Sequence, residues 1–497
     1  MEPTPRWPTL IPDLIARHRV LDLKDLFWFK RPVKVRIALY AEGTVAFQGG
    51  SFEGLQHVVA ALRSDPWPWV IFEPVLIHRN SDPSADLQNK TLDQIHLETF
   101  DELWLFGIAE GNLLSAAEVN AVNAFMDAGG GVLHTGDHAS LGKGIAGNLK
   151  RAGKMRRYPA PQAAPGVWNN TLRSGADSVY EFVDQSDDYP QDIRLRRYWE
   201  WTFYPSFFRH WAPHPVLCGN HGPIRIFPDH QHEGEAIAPN AYPAADWPSK
   251  GGYQPQVDVV AWGRIESPDA NTGREFGLVS VYNGHDADVG RIVADSTWHH
   301  WFDINLKGFA TGHLETIERY FLNVAAWLAP ADKQYGMRNG VFLIALRRDP
   351  LVMIDATVLP PWYLGGLARD ALGQFAPQCL VRQWILDLVK IPVLVKMPPF
   401  TQPDPPPFDP RHPVFPYPLP LTDLLMASVI TPLIEAQRDI TDLVTEMKPE
   451  IVERAFAGAL RRTAEIIGEQ AKVMQLGQVA DLLGQREPPA EEQTKKE

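Results

Sequence analysis

Three stretches decide the fold: Asp101-Glu-Leu-Trp-Leu-Phe-Gly107, Ser115-Ala-Ala-Glu118, and Gly129-Gly-Gly-Val-Leu-His-Thr-Gly-Asp-His138. The first is an apolar run of strand length. The second has the form of a capping box and opens a helix whose Val119, Val122, Phe125 and Met126 share one face. Gly129-Gly-Gly131 stops that helix, because glycine takes positive φ without a Cβ penalty. Val132 to His138 then reads as a buried strand running into a tight turn. Strand, helix and strand in so few residues predict parallel pairing.

The same rhythm extends outward. Val33, Val35, Ile37 and Leu39 alternate with Lys34, Arg36, Ala38 and Tyr40 as a first strand. Ser51 stands where it can cap a helix bearing Phe52, Leu55, Val58, Val59 and Leu62, before a second strand at Val70 to Ile77. Residues 140–270 are rich in Pro, Gly, Trp and charge, and read as a long insertion of loops and short strands. Phe276 to Tyr282 and Arg291 to Asp295 look like strands, and Leu314, Ile317, Phe321, Val324 and Leu328 make a closing amphipathic helix. The expectation is an α/β, doubly wound parallel sheet over 33–330, preceded by an extension at 1–32. An apolar segment at 331–397 has no clear period. Eleven prolines from Pro398 to Pro420 mark a linker at 398–420. Residues 421–484 are helical, and Ile451, Val452, Ala455, Phe456, Leu460 and Ile467 form a face that this chain or a second copy must cover. The tail, 485–497, has a disordered composition.

The chain has 497 residues, with 47 basic against 60 acidic side chains and a formal charge of -13, which argues against nucleic acid or an anionic membrane as partner. Cys218 and Cys379 are too few and too far apart to suggest a disulfide scaffold or a thiolate zinc cluster, and Cys218 reads as a small buried hydrophobe. That usage fits a reducing compartment. Met1 to Asp13 has no apolar core of signal-peptide length, and the most apolar stretch, Gly340 to Leu346, is too short to span a bilayer. A cytoplasmic protein is expected. No phosphate-cradling signature with lysine and no dinucleotide glycine fingerprint appears in the right context, so no nucleotide cofactor is expected.

Ligand-type side chains concentrate at three predicted strand ends: Thr135-Gly-Asp137-His138, Asn283-Gly-His285-Asp286, and Asp295-Ser-Thr-Trp-His299-His300. Open α/β sheets place their sites beyond the carboxyl ends of strands, so these segments are expected to converge. From the insertion, Pro228-Asp-His-Gln-His-Glu-Gly-Glu235 adds Asp229, His230, His232 and Glu235. Side chains two apart on an extended chain point the same way, so His230 and His232 suit one zinc, iron or manganese ion, with Asp229 and His285 as further ligands. Asp137, His138, His299, His300 and Glu235 are the candidates for proton transfer. Blander readings stand beside these: structural histidines in a crowded loop, a turn aspartate bonding its own backbone, and histidines packed beside Trp298 and Trp301. Lys143, Lys150, Arg151, Lys154, Arg156 and Arg157 form either a funnel for an anionic substrate or a solvated loop.

Gly129 to His138, Gly290-Arg-Ile-Val-Ala-Asp-Ser-Thr-Trp-His-His300 and Phe321-Leu-Asn-Val-Ala-Ala-Trp-Leu328 resemble the ThuA-like (trehalose utilisation) branch of the class I glutamine amidotransferase-like superfamily. The resemblance implies a flavodoxin-like sheet over roughly 33–330. In true amidotransferases of that superfamily a cysteine occupies the elbow after the central strand, and a later strand end supplies a histidine and a glutamate. Here the elbow reads Gly136-Asp137-His138, and the residues two beyond His299 and His300 are Trp301 and Phe302, so glutaminase chemistry through that triad is not expected. The resemblance implies a repurposed pocket for a polar, carbohydrate-like or anionic small molecule. The expectation is therefore a metal-dependent hydrolase. The alternative is a non-catalytic scaffold or binding protein that forms homo-oligomers through residues 421–484.

Overall fold

The computed structural model describes residues 32–48, 53–137, 140–158, 191–202, 208–219, 222–228, 234–264, 275–306, 311–348, 356, 358–388, 420–439 and 451–467. Eight strands form the central sheet: β1 (Val33–Ala41), β2 (Val70–His78), β3 (Glu102–Phe106), β4 (Gly131–His134), β5 (Arg194–Leu195), β6 (Val257–Arg264), β7 (Glu275–Tyr282) and β8 (Ile292–Asp295). Their order is β2-β1-β3-β4-β8-β7-β6-β5. The pairs from β2 to β8 are parallel, and β7, β6 and β5 continue antiparallel.

Period two in the strands fills two cores. Val35, Ile37, Leu39 and Ala41 of β1, with Trp104 and Phe106 of β3, join the core under helices α1 (Gln56–Leu62) and α3 (Thr311–Leu328). Ala38, Tyr40, Leu103 and Leu105 face the opposite core under α2 (Ala116–Asp127). Helices thus cover both faces, as a doubly wound parallel sheet requires. The capping box at the start of α2 forms as expected: Ser115 Oγ accepts from Glu118 N at 3.3 Å, and Glu118 Oε2 accepts from Ser115 N at 2.8 Å. Buried Glu118 also pairs with Arg79, tying α2 to the end of β2. The glycines do more than stop the helix: a Cβ on Gly290 would lie 1.9 Å from Gly130 O.

The first helix departs from expectation. It begins at Gln56, and Ser51 lies outside the described residues. Its free donors are met instead by Asp303, whose two carboxylate oxygens accept from Gln56 N and His57 N, each at 2.9 Å. β6 is a second departure, a full central strand inside the stretch read as loops and short strands. The segment without a period is helical where described: α4 (Ala331–Arg348), α5 (Pro361–Gly373) and α6 (Gln378–Leu386).

The C-terminal helices α7 (Leu421–Asp439) and α8 (451–467) pack on their own chain. Leu425, Ile430, Val452 and Phe456 share one core cluster with Val341, Leu364, Trp384, Trp69 and Val35. Of the face expected to need cover, Ile451, Val452, Ala455, Phe456 and Ile467 thus pack at least in part inside this molecule, while Leu460 stays exposed. Most of the proline-rich linker, the N-terminal extension and the tail lie outside the described residues. No described helix is long and apolar enough to cross a membrane.

The cysteines also need correction. Cys218 and Cys379 form a disulfide across 161 residues of sequence, with Cα atoms 6.0 Å apart. It fastens the insertion to α6, and it removes the inference of a reducing compartment from cysteine usage.

α5 and α7 meet without room for a side chain. A Cβ on Gly365 would lie 1.8 Å from Asp423 O, and Arg369 Nη1 reaches Asp423 Oδ1 at 2.6 Å beside it. Gly365→Ala is expected to force the helices apart and lower stability by about 2 kcal/mol, read as a fall in thermal midpoint. Gly312→Ala, with nothing within 4 Å of the added carbon, leaves the midpoint unchanged or raised.

Candidate active site

Because β8 lies parallel beside β4, the turns that follow both strands meet at one edge of the sheet. Trp298 N donates to Gly136 O at 2.9 Å and docks one turn on the other. Thr297 caps the next turn, its Oγ1 accepting from His299 N at 3.0 Å. His299 and Asp137, both fully buried, then face each other with Nε2 and Oδ2 3.5 Å apart, beyond a strong hydrogen bond. Thr297 Oγ1 lies 3.5 Å from Asp137 Oδ1, and Asn305 Nδ2 lies 3.0 Å from His299 Nδ1. An Asn305 amide donating to Nδ1 leaves the ring proton on Nε2, facing Asp137.

His300 turns elsewhere. Its Nδ1 sits 2.7 Å from Asp295 Oδ1, while Asp295 Oδ2 accepts from Trp301 Nε1 at 3.0 Å and Tyr320 OH at 2.9 Å. Burial, and then the Asp295 charge, hold the Tyr320 phenol well above its ordinary value. A carboxylate with this many donors is an anchor for the turn. The neighbouring histidines thus divide: His299 goes to Asp137, and His300 to Asp295 and the ring of Phe227, 4.6 Å away.

Arg156 joins the two strand ends. Its Nε and Nη2 donate to Ser296 O at 3.1 and 2.6 Å, and Nη2 also donates to Asp137 O at 2.5 Å. Arg156 comes from the basic run, where nothing in the spacing separates it from a solvated neighbour. Arg151 of that run is also buried, paired with Asp127 at 2.7 Å. Several buried polar atoms here have no hydrogen-bond partner among the described residues: Arg156 Nη1, Ser296 Oγ, Trp298 Nε1 and His299 Nε2.

The other candidates are placed as follows. Glu235 pairs with Arg157 Nε at 2.9 Å. His138, Asp229, His230 and His232 lie outside the described residues. His285 does not join the rim. β7 runs antiparallel to β8, with Tyr282 opposite Ile292, so the turn holding His285 and Asp286 emerges at the far edge of the sheet. There Arg291 Nε donates to Asn283 Oδ1 at 2.7 Å, and burial pushes the Asp286 carboxyl up to about 7. His285 is held well below its usual range by burial and then by Arg291. Among the described residues, no group of three or more His, Cys, Asp and Glu side chains is arranged to hold a metal ion.

His134, at the end of β4, is fully buried, and burial followed by the Arg156 charge lowers its pKa to about 3. A base whose pKa is depressed by folding contributes stability that is present above its unfolded value of about 6.5 and lost as pH falls toward 3. His134→Leu is expected to flatten the loss of stability between about pH 6.5 and pH 4, measured by denaturant unfolding across that range. An unchanged slope contradicts this.

No protein-family profile and no curated protein matches this sequence. Solved structures do match. The mmIFT52 N-terminal domain is 11% identical, with a TM-score of 0.33 over 58% of this chain and 96% of that one. A protein from Parabacteroides merdae described as ThuA-like is 12% identical, with a TM-score of 0.28 over 59% of this chain and 90% of that one. These distant likenesses identify no family.

Proposed function

We propose that the rim between β4 and β8 is the working site of a hydrolase for a small polar substrate, carbohydrate-like or anionic, with His299 and Asp137 handling the proton. The observation that carries this reading is the meeting of three sequence-distant pieces, Gly136-Asp137, Arg156 and Ser296 to His299, in one buried polar cluster with unmatched donors. A buried polar atom without a partner costs about 1–3 kcal/mol, so several in one place favour a role in binding or catalysis. The five parallel strands lie in the order β2-β1-β3-β4-β8, which supports reading the sheet as flavodoxin-like, with ligands beyond the carboxyl ends. In this reading Asp137 takes the proton, the His299 Nε2–H that faces it holds the carboxylate in place, and Arg156 Nη1 offers a charged donor to a developing oxyanion.

A divalent metal, zinc, iron or manganese, enters this reading only through Asp229, His230 and His232. Both described flanks of that segment touch the rim: the Phe227 ring packs on His300, and Gly234 N donates to Ser296 O at 3.3 Å. His299 and Asp137 are one short of the three protein ligands that a catalytic zinc usually takes. A bound metal would supply Lewis acidity or an activated water.

Complete burial of Asp137, His299 and His300 favours the second reading, a scaffold or binding protein whose rim is structural. Turnover of p-nitrophenyl esters, phosphates and glycosides separates the two. The enzyme reading expects one class to be hydrolysed and His299→Gln to lower kcat/KM by about 100-fold while the protein stays folded at the assay temperature. It also expects near-stoichiometric metal in the purified protein, lost in His230→Ala/His232→Ala. No turnover, or equal rates in wild type and His299→Gln, favours the scaffold.

A further inference from the structure

A second feature lies away from the rim: an open cleft of about 670 Å³ between the α/β body and the helical extension. Trp67, just before β2, and Trp211 of the insertion supply aromatic wall. Arg319 of α3, Arg369 of α5, Arg382 of α6 and Phe375 line the rest. The Cys218–Cys379 disulfide fastens the insertion to the extension at the cleft. Its volume is within the range of small-molecule sites.

The charge of this lining runs against that of the whole protein. The chain carries -13, yet among the described residues three arginines and no aspartate or glutamate line the cleft. Arg369 is compensated, with Nη1 2.6 Å from Asp423 Oδ1 and Nε 3.9 Å from Asp370 Oδ1. Arg319 differs: its guanidinium lies 4.9 Å over the Trp67 ring, and no carboxylate of the described residues is within ion-pair reach of it. Trp67 in turn stacks on Trp69 with centroids 4.9 Å apart, so this cation rests on a fixed aromatic base. Burial pushes the Arg319 guanidinium below its usual value, the sign of a charge partly stripped of water without an acid to compensate it. Exposed Arg197 and Arg225 each lie 5.4 Å over the ring of Trp211 and extend the positive field at that wall.

We propose that this cleft binds a small organic anion, a phosphate or carboxylate carried on a flat ring, with Arg319 as its principal counter-charge. The oxyanion takes the guanidinium donors, and the ring lies against Trp67, Trp211 and Phe375. This site is separate from the rim and holds whether or not the rim is catalytic.

Calorimetric titration of the full chain with 1-naphthyl phosphate, 1-naphthoate and the neutral 1-naphthol tests it. At least one anion is expected to bind saturably, at least about tenfold more tightly than the naphthol, and more weakly in about 0.5 M salt. The tighter of the two anions identifies the oxyanion preferred. Arg319→Gln is expected to weaken that anion by at least about tenfold with an unchanged thermal midpoint. Should that variant not fold, Arg197→Gln/Arg225→Gln, at exposed positions, replaces it, with a severalfold loss expected. Anions that bind no better than naphthol, or an affinity unchanged in the variant, overturn the proposal.

Discussion

β8 pairs with β4 in parallel, Ile292 beside Val132 and Ala294 beside His134. That register brings the two following turns level, so residues more than 150 positions apart in sequence arrive at one place, His299 against Asp137. The approach depends on glycine: β8 enters past Gly290, whose missing side chain leaves room for the backbone at Gly130, and β4 enters at Gly131, where a Cβ would lie 2.3 Å from Leu328 O. Arg156 then holds the carbonyls of both turns with one guanidinium. Without the β4–β8 pairing, none of these groups has a common edge on which to meet.

The surrounding packing makes that edge rigid. Trp301 stacks on Phe321 with centroids 4.8 Å apart and meets Trp104 edge-on at 5.7 Å, which fixes the turn carrying His299 and His300 against the sheet and α3. Asp295 gathers His300, Trp301 and Tyr320 on its two oxygens. A buried carboxylate satisfied in this way resists rearrangement, since breaking one bond leaves another group unpaired in a poorly polarisable interior. The polar rim thus rests on an aromatic support that holds its side chains in one geometry.

Much of the architecture is legible in the sequence because its causes are local. Alternation in β1, the capping box at Ser115 and the glycines after α2 each act within a few residues. What is not legible depends on distant partners. The cap of α1 is Asp303, far along the chain, and β6 hides among prolines and glycines because its partner β7 supplies the ladder. The same applies to the site. Asp137 and His299 stand out at strand ends, while Arg156 looks like any cation of a basic run until its carbonyl acceptors are seen. The position of His285 after a strand suggests the rim, but that rule holds only for a strand running with its neighbours, and β7 runs against β8. Separation in sequence likewise hid the pairing of Cys218 with Cys379.

The contact between Asp137 and His299 joins the two halves of the rim, and a double-mutant cycle in denaturant unfolding measures it. Asp137→Asn, His299→Gln and the double variant are expected to show a coupling of about 1 kcal/mol, because each group is buried against the other. Losses that add to within about 0.3 kcal/mol would contradict the claim that the two side chains work as a pair.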